Sequence, residues 1–181
     1  MSVAEAIQRL QQLASRVPAL PSPYPLEEPR FGPPCCEAEI GELLGGKADS
    51  VPEYVDFLRR CRRIDAADVF NGYRLFSPIG IASSDDSRPR ILHVDLGAGL
   101  TEVRVIAVGS DGGGNLFLLG LGDTAAGHVW KWSHEAEVRF DGVASSGLAL
   151  VATSFAEFLH RVAIDWEHFI ADDYDWPYLS G

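Results

Sequence analysis

The stretch from Val105 to Glu135, VIAVGSDGGGNLFLLGLGDTAAGHVWKWSHE, constrains the fold more than any other part of the chain. Three apolar runs, Val105–Val108, Leu116–Leu121 and His128–His134, are separated by two turn-forming clusters, Ser110–Asn115 and Gly122–Gly127. Glycine reaches the positive φ angles that tight connections use, so the pattern predicts a three-strand antiparallel meander. The middle run is apolar on both faces. Leu116 and Leu118 alternate with Phe117, Leu119 and Leu121, which predicts a strand covered on both sides.

The rest of the chain reads as elements that cover or extend this sheet. Ser2 and Glu5 have capping-box spacing, and Ala6, Ile7, Leu10, Leu13, Ala14 and Val17 form a helical stripe that should end near Arg16, before Pro18. Seven prolines between Pro18 and Pro34 remove backbone donors and predict an extended connector, either a strap across the domain or a ligand for an aromatic groove. Helices are expected over Glu37–Leu44, stopped by Gly45-Gly46, and from Pro52, with Tyr54, Val55, Leu58 and Cys61 on one face. Arg59, Arg60, Arg62 and Arg63 at its end read either as an anion contact or as cations that favourably meet the helix dipole. Strands are expected over Gly72–Ser77, Ile91–Leu96, Thr101–Val108 and Leu148–Ala152. A last helix should begin after Thr153 or Ser154, burying Phe155, Phe158, Leu159 and Val162, with Asp165–Ile170 extending it or forming another.

At 181 residues the chain is long enough for one sizeable core. Its net charge of −11 argues against nucleic acid or an anionic membrane as partner. The N-terminus lacks a basic segment followed by an apolar one, and no run is long enough to span a membrane. Three cysteines, two of them adjacent, make a poor disulfide framework, so a cytoplasmic location is expected.

Reaction chemistry is sparse. His128 and His134 share a strand face, but six residues of strand separate them by about 20 Å, too far for one ion. His93, His160 and His168 are isolated. The Asp111–Asn115 turn lacks the lysine and hydroxyl of a phosphate loop and joins two strands, so no helix dipole backs it. It also lacks the alternating oxygen ligands and terminal Glu of a calcium loop. No GxSxG elbow occurs, and Cys35-Cys36 has no local His. No catalytic residue, metal or cofactor is expected.

The C-terminal segment has a different signature. Asp165, Glu167, Asp172, Asp173 and Asp175 occur with no Lys or Arg, interleaved with Trp166, Phe169, Tyr174, Trp176 and Tyr178. Acids mixed with aromatic anchors suit a basic protein surface. The alternative is a solvated tail whose aromatics pack back on the domain. Asp85 and Asp86, in the polar Ser83–Ser87 stretch, are further candidates for partner contact.

Several segments together resemble the SUKH superfamily, which groups a fungal cell-wall-synthesis regulator with many bacterial toxin-immunity proteins. They are VPEYVDFLRRC (Val51–Cys61), GYRLFSP (Gly72–Pro78), VIAVGSDGGGNLFLLGL (Val105–Leu121), VWKWSHE (Val129–Glu135) and TSFAEFLHRV (Thr153–Val162). Val51 stands where the family often has leucine, and the family's Asn-Gly pair is displaced to Asn71-Gly72. The resemblance spans roughly Glu37–Val162. It implies an α+β fold, with helices packed on a curved, mostly antiparallel sheet and a closing C-terminal helix. It also implies a non-enzymatic protein that binds and neutralises a cognate toxin, in some cases a nuclease whose basic cleft suits an acidic inhibitor.

The organisation expected is an N-terminal helix and Pro-rich strap over 1–34, a SUKH-like domain over 35–164, and an acidic aromatic extension over 165–181 on or beside it. Candidate partner-binding residues are Asp85, Asp86, Asp165, Glu167, Asp172, Asp173, Asp175 and Trp176. Two other functions stay open: a regulatory or scaffolding module without a toxin, and a small hydrolase or metal enzyme assembled from distant residues.

Overall fold

The computed structural model describes residues 1–69, 72–76, 90–95, 100–122, 125–133, 147–173 and 175–179. Asp85, Asp86, Tyr174, His134 and the Ser83–Ser87 stretch lie outside them.

Among the described residues, four α-helices pack on an antiparallel sheet. Helix α1 (Val3–Ala14) is followed by β1 (Arg30–Phe31), α2 (Glu37–Leu44), α3 (Pro52–Arg60), β2 (Arg63–Ala66), β3 (Tyr73–Phe76), β4 (Arg90–Asp95), β5 (Leu100–Asp111), β6 (Leu116–Gly120), β7 (Val129–Trp132), β8 (Leu148–Ala152) and α4 (Phe155–Ile170). The sheet runs β1-β2-β3-β5-β6-β7-β8, and β4 also pairs with β5. Val105 of β5 faces Arg90 of β4 on one side and Gly120 of β6 on the other. No helix among the described residues is long and apolar enough to cross a membrane. The fold is α+β with a closing C-terminal helix, and β5-β6-β7 is the expected meander.

The helix boundaries follow local chemistry. Ser2 and Glu5 form a reciprocal capping box, with Ser2 N donating to Glu5 at 2.7 Å. Gly45 ends α2 at φ +53°, a left-handed position that glycine fills without a Cβ penalty. Ser154 caps α4, accepting from Glu157 N at 3.1 Å. Helix α4 then runs unbroken through Ile170, so Asp165–Ile170 extends it.

Two boundaries differ from expectation. Helix α1 stops at Ala14, two residues short of Arg16, and Val17–Ala19 tightens into a 3₁₀ turn around Pro18, the first of the prolines. The third meander strand is Val129–Trp132, shorter than His128–His134. His128 instead belongs to the turn, where its amide bonds Ala125 O and its carbonyl accepts from Gly120 N.

Strands β1 and β2 have no counterpart among the expected elements. They form where the Pro-rich segment meets the arginine cluster. Phe31 pairs with Ile64, Gly32 N donates to Arg63 O, and Arg62 N donates to Pro33 O. The guanidinium groups are engaged by acids on the helices: Arg59 with Glu37 at 2.7 Å, Arg60 with Asp56 at 2.9 Å and Arg62 with Glu39 at 2.8 Å. The cluster ties α2 to α3 and places Arg59 and Arg60 in the last turn of α3, where cations are favoured.

The sheet has two apolar faces, as the middle meander strand implies. Ile106, Val108, Phe117, Leu119 and Val129 join the helices in the larger core. Val103, Val105, Ala107, Leu118, Ala125 and Trp130 form a second cluster on the other face. Aromatic rings fasten the helices to one another and to the sheet. Phe155 meets Tyr54 edge-on with centroids 5.0 Å apart, and Phe158 lies 4.9 Å from Phe117.

Candidate partner-binding surface

The acidic C-terminal segment is built on the end of α4. The buried residues of this helix are Phe155, Ala156, Phe158, Leu159, Val162, Ala163, Asp165 and Trp166. Asp165 lies on the apolar side at helical spacing from Phe158 and Val162, and only 3% of it is exposed. A buried carboxylate needs donors. The Tyr73 hydroxyl of β3 donates to one oxygen, which also accepts from Leu179 N at 2.8 Å. The other accepts from Trp176 Nε1 at 2.8 Å. One side chain therefore joins sheet, helix and tail.

The chain reverses after α4 through Asp172, whose φ of +61° is a left-handed position that aspartate tolerates better than bulkier residues. Asp173 N then donates to His168 O at 3.0 Å. His168 Nδ1 lies 2.8 Å from an Asp173 carboxylate oxygen, and the His168 ring stacks on Trp176 with centroids 3.7 Å apart and planes within 4°. The Tyr178 hydroxyl donates to Asp173 O at 2.7 Å. The tail is thus folded back onto α4.

The candidate residues separate accordingly. Asp165 is enclosed and serves the tail's own structure. Glu167 points toward α1 and forms a two-pronged pair with Arg9, whose Nε donates at 2.7 Å. Asp173 is half-buried against His168, and Trp176 is half-buried over the same ring. Asp172 and Asp175 face solvent. Asp85 and Asp86 lie outside the described residues. Arg9, Tyr73 and His168 were not singled out from the sequence. Tyr73 lies in the GYRLFSP segment, but nothing there points to its partner, and the three partners are 158, 92 and 5 residues away.

A cleft of about 330 Å³ lies between α4 and the tail, lined by Arg161, Ile164, Asp165, Trp176, Pro177 and Leu179. Among the described residues, no three His, Cys, Asp or Glu side chains gather as a metal site. The Asp111–Asn115 turn is held from within. Asp111 Oδ1 accepts from the amides of Gly113 and Asn115, both at 2.9 Å, and Oδ2 accepts from Asn115 Nδ2 at 2.8 Å. Its polar groups are occupied in closing the hairpin.

Several carboxylates are tuned by helix starts. Glu5 and Glu39 are held below the usual range chiefly by the backbone amides of Ser2 and Cys36. Glu157 is lowered first by the Thr153 hydroxyl, then by the Thr153 amide. These groups stabilise helix termini. By contrast, burial pushes the Tyr54 phenol and the Cys61 thiol up.

A family model described as SMI1 / KNR4 family (SUKH-1) matches residues 52–161, from the first residue of α3 into the middle of α4. No curated protein and no solved structure matches the chain.

Proposed function

From the chain's membership of the SMI1 / KNR4 family (SUKH-1), we propose that it is a non-enzymatic immunity protein that binds and neutralises a cognate bacterial toxin in the cytoplasm. The family is consistent with an immunity-like or a regulatory role. The feature that favours a toxin with a basic surface is the acidic tail. Asp172 and Asp175 face solvent on a segment held to α4 by Asp165 and by the His168–Trp176 stack. A surface ordered before the encounter loses little entropy on binding. Exposed acids on it steer a cationic partner and raise the association rate at low salt.

The candidate surface comprises Asp172, Asp175 and the half-buried Trp176, with Asp85 and Asp86 as further contacts. Asp165 is left out because it lies inside.

Co-expression with the toxin encoded by an adjacent gene tests this reading. The two chains should co-purify, and the association rate should fall with salt. Asp172→Asn with Asp175→Asn should slow association about two- to tenfold at low salt and flatten the salt dependence. Unchanged rates in that variant would remove the tail from the interface, and failure to form any complex would contradict the toxin reading.

A further inference from the structure

Among the described residues, β8 is the outermost strand of the sheet, with β7 as its strand neighbour. Its outward backbone groups follow from the register. Ser133 N donates to Gly147 O at 2.9 Å, and the pairing continues as Trp132–Leu148, Lys131–Ala149 and Trp130–Leu150. Hydrogen-bonded pairs alternate along an antiparallel ladder. Ala149 therefore turns its amide and carbonyl toward β7, while Leu148 and Leu150 turn theirs away from the sheet. Among the described residues, no backbone group bonds to them from outside.

Sheet edges are commonly guarded by charge, proline or brevity. The opposite edge has all three: β1 is two residues long, begins at Arg30 after Pro29, and leads into Pro33-Pro34. β8 is five residues long, and from Val143 to Phe155 the sequence has no charged residue and no proline. Leu150 is 50% exposed, and Leu148 packs at the margin of the second apolar cluster.

The helix side of this edge is also prepared. Arg161 donates to the Val151 carbonyl of β8 and lines the cleft between α4 and the tail with Ile164, Trp176, Pro177 and Leu179. Arg161 thus links the end of the strand to the wall of the cleft. A strand added to β8 would direct alternate side chains beside Leu148 and Leu150 on one face and toward this cleft on the other. The chain's net charge of −11 and the exposed Asp172 and Asp175 favour cationic flanks on such a segment and oppose pairing with a second copy.

We propose that β8 accepts an extended segment of the partner protein, apolar at alternate positions and flanked by Lys or Arg, as a new edge strand. This rests on the protein-binding reading above and specifies where and how the partner docks.

The test titrates isotope-labelled protein with a synthetic peptide of alternating Thr and Val or Leu, with Lys at each end. Saturable shifts of the Leu148 and Leu150 amides are expected. They should vanish when alternate peptide amides are N-methylated. Leu150→Pro removes an outward donor that β7 does not use, so its circular dichroism should match the parent while peptide affinity falls about five- to tenfold. Leu150→Lys, at an exposed position, should likewise weaken binding of the Lys-flanked peptide while keeping the fold. No shift at β8, or peptide affinity in both variants equal to the parent's, would overturn the proposal. So would concentration-dependent dimerisation of the parent that Leu150→Pro abolishes, which would make a second copy the occupant. Toxin neutralisation by the parent protein reports on the immunity reading separately, whichever result the peptide gives.

Discussion

The Glu53 carboxylate, in the first turn of α3, accepts a hydrogen bond at 2.8 Å from the backbone amide of Ala156, in the first turn of α4. One acid thus sits at the N-termini of two helices 103 residues apart in sequence. Both termini carry partial positive charge, and the bond satisfies an amide with no partner inside its own helix. Pro52, beside it, is suited to the start of α3 because its missing N–H is not needed there. Glu53→Ala should therefore cost about 1–2 kcal/mol, and Glu53→Gln, which keeps an acceptor, about half as much. Urea unfolding with an unchanged slope would register both losses.

Asp165 holds the tail through three donors. Replacing it by alanine removes an acceptor of the Tyr73 hydroxyl, the Trp176 indole N–H and the Leu179 amide, with an expected loss of about 2–4 kcal/mol. Asp165→Asn keeps one acceptor oxygen and should lose less. Hydrogen exchange over 175–179 should quicken in both, more in the alanine variant, while α1 stays protected. A tail equally protected in both would refute the latch.

Gly120 is required by close approach. A Cβ there would lie 2.2 Å from the Ala125 carbonyl oxygen and 3.0 Å from the Trp130 ring. Ala125 belongs to the turn that leads into β7, whose His128 carbonyl accepts from Gly120 N. Gly120→Ala should cost roughly 2 kcal/mol through overpacking, and Gly122→Ala, where a Cβ meets nothing within 4 Å, much less. Thermal unfolding of the two variants compares them directly.

The lowered carboxyl of Glu157 gives stability a defined pH dependence. Its folded-state pKa lies below the ordinary value of 4.5, with the Thr153 hydroxyl the leading cause. Acidification protonates it first in the unfolded chain. Its stabilising contribution is therefore full above the ordinary value and is lost as pH falls through the depressed folded value. The difference in melting temperature between the parent and Glu157→Gln should be largest near neutral pH and shrink below 4.5. A constant difference across that window would contradict the assignment.

Local chemistry made much of this architecture legible. Ser2–Glu5, Gly45 and Ser154 mark helix ends within a few residues, and apolar runs mark β5, β6 and β8. Strand β2 escaped because Arg63, Ile64, Asp65 and Ala66 lie at the end of a basic run, where charge masks a four-residue alternation. Strand β1 has two residues between prolines and exists only because β2 pairs with it.

Asp165 teaches a different lesson. Its charge placed it with the solvent-facing acids, whereas its spacing from Phe158 and Val162 puts it on the buried stripe of α4. Helical phase was the better guide there, but the donors that permit its burial come from Tyr73, Trp176 and Leu179. Such convergence is a tertiary property that residue spacing does not express. The pairings Arg9–Glu167 and Glu53–Ala156 have the same origin.

Toxin neutralisation is the decisive measurement for the immunity assignment. Cells expressing the toxin encoded beside this gene should regain normal plating when this chain is co-expressed, and purified protein should inhibit the toxin's activity at a one-to-one ratio. Continued killing at matched expression, with no inhibition by the purified folded protein, would contradict the immunity assignment and leave the regulatory role of the family.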